Sequence, residues 1–403
     1  MLNSITLENF LSYRESQTIA LNKDLNVLVG INGSGKTNLI KALCLVHEGI
    51  TSGFKAIFNR WGGFEAIANY STTNINTITI LCEFNKESLN TNTTNFQFKK
   101  NPCYKITIHK VGNSDYYLSE ELSISNDQHQ SPYLLLKMEN GMGQIAENDD
   151  NDKIALSHYG AKEKFDGQEL VLKQLNDPKR HAPLIAIRKV IAQFATNYGY
   201  FDTSLNSPIR LYGEYGAEAK LKDDGSNLTQ MLQRLSTKYP LEYEKLIENA
   251  KKINPHYKDI RFDYLGNKFL AVLVEKNLAK TIPISALSDG TLRFLLLLTI
   301  IYNPERGKVV GIDEPETGMH PDMIMCIVDA IKEAAKNGTQ FILASHSPIF
   351  LNLFTLDDIL IIEKNDKNCS IVNAKTEADF EDWVGDFLPG KMWLQGLIGG
   401  RRW

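Results

Sequence analysis

The chain has 403 residues, 43% hydrophobic and 23% charged, enough for a large buried core in one big domain or a few lobes. A formal net charge of −4 excludes a general basic field for nucleic acid; any DNA contact needs a local patch, for which residues 173–189 and 251–268 are candidates, although such runs are more often solvated helix faces. Cys44, Cys82, Cys103, Cys326 and Cys369 lack metal-ligand spacing, no leader-like segment opens the chain, and the longest apolar run (294–302) is about half a membrane span, so a reduced, soluble, cytoplasmic protein without a membrane partner is expected.

In chain order, residues 4–7, 18–21 and 25–29 read as strands, and a glycine-rich loop then enters a helix over 38–47. That helix sets Leu39, Ala42, Leu43 and Val46 on one face. Strand patterns follow at 77–84, 96–98, 104–111, 116–124 and 133–138. An Asn/Thr-rich loop at 85–95 and an acidic loop at 147–152 read as exposed tips. Residues 165–260 read as mostly helical: Leu228, Leu232 and Leu235 line one face, and Leu241, Leu246, Ala250 and Ile253 line the next, with Pro240 between. No heptad run is long enough for a coiled coil. The last third alternates helix and short apolar strand: helix 292–302, strand 309–312, helix 321–336, strands 341–344 and 359–363. This alternation predicts an α/β fold with a mostly parallel, doubly covered sheet, an antiparallel β subdomain and a helical insertion. The expected division is 1–164, 165–275 and 276–403.

Four short motifs carry chemistry. The first is Gly30-Ile31-Asn32-Gly33-Ser34-Gly35-Lys36-Thr37, a complete phosphate-loop pattern with a strand before it and an amphipathic helix after it. Its amides and helix N-terminus suit phosphate oxygens, Lys36 suits the β- and γ-phosphates, and the Thr37 hydroxyl suits Mg²⁺. The second is the apolar run ending at Asp313-Glu314, where Asp313 suits the metal shell and Glu314 a general base. The third, Ser345-His346-Ser347-Pro348, follows another short strand, so that His346 could meet a γ-phosphate or the attacking water. The fourth, Leu287-Ser288-Asp289-Gly290-Thr291, opens a helix and offers a second anion-binding tip. The plainer reading of that tip is a helix cap. One nucleotide rarely needs two such tips from one chain, so the tip formed by Ser288, Asp289 and Gly290 is expected to complete the site of a second copy.

In this order and context the motifs resemble those of ABC-type P-loop ATPases, in the RecF/SMC/OLD branch. Residues 5–12 (ITLENFLS) resemble that branch's opening strand and turn, and Asn38 after the Gly-Lys-Thr fits it as an ATP-binding residue. Residues 313–321 (DEPETGMHP) and 345–348 (SHSP) resemble OLD-like enzymes, while 224–228 (DGSNL) and LSDGTLRF look like stand-alone AAA_21-type ATPases. The resemblance implies ATP and Mg²⁺ as ligands, a homodimer closing around ATP, and Glu314, His346 and Lys36 as catalytic groups. Asp289 departs from the glycine of transporters and adds negative charge near a phosphate. Gln97 and Gln144 are both candidates for the glutamine that contacts the nucleotide, and Arg14 could approach it or form a surface ion pair.

The long stretch between Lys36 and Ser288 does not suit a transporter domain, and its lack of heptads does not suit a full SMC protein. Too little chain follows His346 for the TOPRIM nuclease domain of OLD enzymes, so no nuclease activity is expected of this chain alone. Trp383, Phe387, Met392, Trp393, Leu397, Ile398 and Trp403 make an aromatic tail, either docked on its own domain or free for a partner. The resemblance implies an ATPase that controls a separate effector, a nuclease from an adjacent gene, in bacterial anti-phage defence. The alternatives are a RecF-like repair ATPase that binds DNA and an ATP sensor with negligible turnover.

Overall fold

The structure, a computed structural model, describes all residues except 73, 92–95, 114, 126–131, 149–153, 163, 200, 376–378, 380–387 and 400–403. Two sheets organise it. An eight-stranded sheet runs in the order Gln17–Ala20, Leu2–Glu8, Thr77–Phe84, Pro102–Val111, Asp115–Ile124, Tyr133–Glu139, Met142–Asn148, Ile154–Tyr159, antiparallel throughout. A six-stranded sheet runs Phe194–Tyr198, Val309–Asp313, Gln340–Ser345, Leu25–Val29, Ile359–Lys364, Ser370–Ala374; the first five are parallel and the last is antiparallel. The larger sheet is therefore antiparallel, and the expectation of a mostly parallel architecture holds only for the smaller one. The reason is visible in burial. Thr77–Phe84 alternates buried and half-buried residues, as a sheet with one wet face does. All five residues of Leu25–Val29 are buried, as a sheet covered on both faces requires.

The six-stranded sheet divides the hydrophobic interior. Leu28, Val309, Ile342, Leu360 and Ile362 face one core, shared with the helix Lys36–Glu48 and the eight-stranded sheet. Val27, Val29, Val310, Ile312, Phe341 and Leu343 face the other, shared with the helices Leu228–Lys238, Pro240–Ile253, Asp289–Tyr302 and Pro321–Lys336. Strand periodicity of two sends neighbouring residues to opposite cores.

Several expectations need correction. The loop at 85–95 begins with the helix Lys86–Asn90, capped by Asn85 and anchored by buried Leu89. Residues 96–98 form no strand: the Asn90 side chain takes the place of a strand partner, bonding Phe98 N at 2.8 Å and Phe98 O at 3.0 Å. Glu147 is not in an exposed loop. It lies buried in Met142–Asn148, accepting from Ser157, Tyr159 and Arg180; residues 149–152 of that loop lie outside the described residues. The middle region carries the helices Ala182–Ile191, Leu228–Lys238 and Pro240–Ile253, but also strands that were not expected: Phe194–Tyr198 joins the six-stranded sheet and Tyr257–Leu265 pairs with Lys268–Glu275 in a smaller third sheet. Leu241, expected on a buried face, is 69% exposed near the helix start.

The two basic stretches are partly spent internally. Lys173 pairs with Glu169, Arg180 with Glu147 and Lys268 with Glu214, while Arg188 donates to the Lys173 and Leu175 carbonyls. In the tail, the helix Pro389–Leu394 docks on its own domain: Met392 and Ile398 are buried in the second core, and Gly390 N donates to Asn352 Oδ1 at 2.7 Å. Trp383, Phe387 and Trp403 lie outside the described residues. Among the described residues no helix is long and apolar enough to cross a membrane.

Candidate functional site

The strand Leu25–Val29 runs directly into the loop at 30–35 and then the helix Lys36–Glu48. Gly33 and Gly35 hold φ of 80° and 117°, the left-handed region that glycine adopts without strain. A Cβ on Gly35 would stand 2.3 Å from Ser370 Oγ and 2.6 Å from Ser12 Oγ, whereas one on Gly33 would meet nothing within 4 Å. The loop is thus packed on one side and open on the other. Its packed side is braced by groups distant in sequence. Tyr13 OH donates to Gly35 O at 3.1 Å, Ser370 Oγ donates to Ser34 O, and the Ser370 and Ser12 hydroxyls are hydrogen-bonded at 2.7 Å. Asn38 belongs to this brace, its amide donating to Ser12 Oγ at 2.7 Å, so its side chain is committed to the loop's support. Lys36, 6% exposed, donates from Nζ to Gly30 O at 2.7 Å and Ile31 O at 3.1 Å. Burial lowers its pKa, and the nearby carboxylates of Asp313, Glu314 and Glu316 act in the opposite direction.

Parallel register brings the second and third motifs to the same edge: Asp313 pairs with Ala344, and Ser345 with Val29. Thr37 Oγ1 donates to Asp313 Oδ2 at 2.6 Å. Burial raises the Asp313 pKa, while the Thr37 bond and the Lys36 charge lower it. Glu314 sits at φ 50°, a strained conformation for a residue with a side chain, and its N–H is held by Ala344 O at 2.8 Å. This turn aims its carboxylate at His346, whose Nδ1 lies 3.0 Å from Glu314 Oε1, and Thr317 Oγ1 donates to the other oxygen at 3.2 Å. Behind them Glu316, 8% exposed, accepts from Ser345 Oγ at 2.5 Å, and Ser345 Oγ in turn accepts from Ser347 N at 3.0 Å. Ser12 closes the segment singled out by resemblance, but nothing in the sequence pointed to Tyr13 or Ser370, because no local pattern marks a residue that supports a loop from elsewhere in the chain.

These groups make a cradle with the right chemistry. Thr37 and Asp313 offer hard oxygen ligands of the kind that bind Mg²⁺ alongside phosphates. The open side of Gly33, the buried Ser34 hydroxyl without a partner, the helix N-terminus and the Lys36 ammonium suit a chain of phosphates. Neither candidate glutamine is hydrogen-bonded to the loop among the described residues: Gln97 is exposed and Gln144 is engaged by His158. Arg14 has no ion-pair partner among the described residues, and its turn carries Ser12 and Tyr13 onto the loop.

The fourth motif stands apart. Ser288 caps the helix Asp289–Tyr302, its Oγ accepting from Thr291 N at 3.3 Å. Asp289 pairs with Arg210 at 2.8 Å, and a Cβ on Gly290 would stand 2.7 Å from Gly318 O. No hydrogen bond or ion pair among the described residues joins residues 288–290 to residues 30–38.

The AAA ATPase domain family (AAA_15) matches residues 1–351. No curated protein sequence matches. Among solved structures, an SmcHead bound to the C-winged helix domain of ScpA aligns with a TM-score of 0.58 at 14% identity, covering 94% of this chain and 99% of that one. The Smc head domain with an extended coiled coil bound to the C-terminal domain of ScpA, from Pyrococcus furiosus, aligns with a TM-score of 0.56 at 13% identity, covering 94% and 98%. At these identities the likeness is one of fold.

Proposed function

Because the chain belongs to the AAA ATPase domain family, we propose that it binds and hydrolyses ATP at the phosphate loop and that a second copy completes each site with Ser288, Asp289 and Gly290. The observation that carries this reading is the division of the motifs: Lys36, Thr37, Asp313, Glu314 and His346 converge, while the fourth motif is bonded elsewhere. Gly30, Asn32, Gly33, Ser34 and Gly35 wrap the phosphates, and Lys36 leaves its carbonyl partners for the β- and γ-phosphates. Mg²⁺ held by Thr37 and Asp313 supplies charge neutralisation for those phosphates. Glu314 accepts the proton of the attacking water, with His346 and Thr317 fixing its carboxylate. The Ser288 hydroxyl and Gly290 amide of the twin bind the γ-phosphate from the other side.

The test is E314Q. With ATP it should accumulate as a stable dimer with turnover reduced by roughly 10²–10⁴; a monomer under those conditions rejects the reading. Substantial turnover by the parent chain also separates it from an ATP sensor.

The downstream role follows from the resemblance to OLD-like ATPases: closure controls a separate effector, a nuclease encoded by an adjacent gene, in bacterial anti-phage defence. The Smc heads of the same fold are bound to a ScpA domain, a precedent for such an ATPase working through a second protein. The RecF-like alternative needs basic surface for DNA, and the internal pairing of Lys173, Arg180 and Lys268 weakens it. Purified protein should hydrolyse ATP and leave DNA intact. ATP-dependent, salt-sensitive retention of duplex or gapped DNA would favour the alternative.

A further inference from the structure

Arg210 has a side chain only 4% exposed, and its guanidinium makes five hydrogen bonds. Nε donates to Thr203 O at 2.9 Å and Ser204 O at 3.1 Å. Nη1 donates to Ser285 O and Leu287 O, both at 2.8 Å, and Nη2 to Asp289 Oδ1 at 2.8 Å. The planar fork thus fixes the chain that leads into Ser288, and it does so from a separate segment. That segment grips the helix a second time, where Arg293 Nη2 donates to Phe201 O at 3.2 Å.

Asp289 is 65% exposed and lies between the two groups proposed to meet a phosphate. Unpaired, its charge would repel that phosphate; beside a buried guanidinium the local charge is offset. Four carbonyls and one carboxylate oxygen on one guanidinium set two properties of the tip together: the direction of residues 285–288 and the charge at 289.

We propose that Arg210 is a positioning residue for the contact between copies. It aims Ser288 and Gly290 at the partner's γ-phosphate and neutralises Asp289 so that the phosphate is accepted. This rests on the dimer reading given above.

The experiment compares ATP-dependent dimerisation, by sedimentation, of the full chain carrying E314Q alone, with R210Q, with D289N, and with both. Nucleotide affinity is read separately with a fluorescent ATP analogue at concentrations where the chain is monomeric, and folding by thermal melting. R210Q should weaken dimerisation roughly tenfold or more, since a charged hydrogen-bonded pair is lost, while nucleotide affinity stays within about twofold. Adding D289N should recover a measurable part of that loss, because the uncompensated charge is gone. A purely structural Arg210 would not be relieved by changing an exposed carboxylate. Dimerisation of the R210Q chain as tight as that of E314Q alone overturns the proposal, as does a defect that D289N leaves untouched. If R210Q does not fold, R210K replaces it: charge is kept, the fork is lost, and roughly threefold weakening is expected, with no change overturning the proposal. Failure of E314Q itself to dimerise identifies the dimer reading as the fault and takes this proposal with it.

Discussion

In the six-stranded sheet, polar groups of special geometry collect at one edge and are left partly unspent: the Ser34 hydroxyl and Glu316 Oε2 have no partner among the described residues, and Glu314 holds a strained backbone. Among the described residues of the eight-stranded sheet, no buried side-chain polar atom lacks a partner. Glu120 there accepts from Tyr104 OH at 2.6 Å, from Leu172 N at 3.2 Å and from Val171 N. A buried carboxylate with all its donors supplied stabilises architecture, whereas unsatisfied atoms near a strained backbone are the mark of a site that awaits a ligand. The contrast predicts a double dissociation: changes at the first edge should cost turnover and little stability, and changes at Glu120 the reverse.

The largest effect should come from E314Q, which removes the base and can relieve its backbone neighbours of a charge; turnover falls as stated above while the melting temperature holds or rises. S288A should lower turnover by roughly 10-fold to 100-fold in a steady-state ATPase assay, and cost only about 1 kcal/mol of stability as a lost helix cap. An S288A chain with normal turnover would leave that residue as a cap and nothing more. S370A, which unties the phosphate loop at Ser34 O from the strand Ser370–Ala374 and removes the link to Ser12, should raise KM for ATP by a few-fold, about 1 kcal/mol of lost pre-organisation, with kcat nearly kept.

Glu120 supplies the opposite case. E120A leaves two backbone N–H groups and a tyrosine hydroxyl buried without an acceptor, so urea unfolding should show a loss of roughly 3 kcal/mol, with turnover per folded chain unchanged. Burial also pushes the Glu120 pKa up to about 7, against the lowering by its three hydrogen bonds. The folded state therefore keeps this proton over a range in which the unfolded chain, near 4.5, has lost it. Its contribution to stability is greatest below the unfolded value, declines as pH rises from about 4.5 to about 7, and is flat above that; E120Q should abolish this part of the slope.

How much was legible follows the same division. The phosphate loop, the Asp313-Glu314 strand end, His346 and the Ser288 tip are each contiguous, and the short buried strands before three of them told where they would lie. The strand Thr77–Phe84 and the helix Pro321–Lys336 fell where periodicity put them. What escaped depends on long-range pairing. Ser370 braces the loop from another strand and Tyr13 from a turn, Arg210 reaches the tip from a different segment, and the left-handed turn at Glu314 is held by its bond to Ala344 O. Phe194–Tyr198 was hidden inside a stretch of helical composition, since a strand at a sheet edge needs only a few residues of pattern. Glu147 shows the converse error: residue type suggested a loop, and the folded chain uses it as an internal support, while Asn38, singled out by resemblance, places its side-chain amide on Ser12.

The central claim is that each ATP site is built from two copies, and mixing tests it most directly. A Lys36→Ala chain lacks a working phosphate loop but keeps its tip; a Ser288→Arg chain keeps its loop but blocks its tip. Each alone should be nearly inactive. Combined in equal amounts they should form heterodimers with one intact composite site, and regain about a quarter of the parent turnover. A mixture no more active than its components, or a Ser288→Arg chain as active as the parent, would contradict the account.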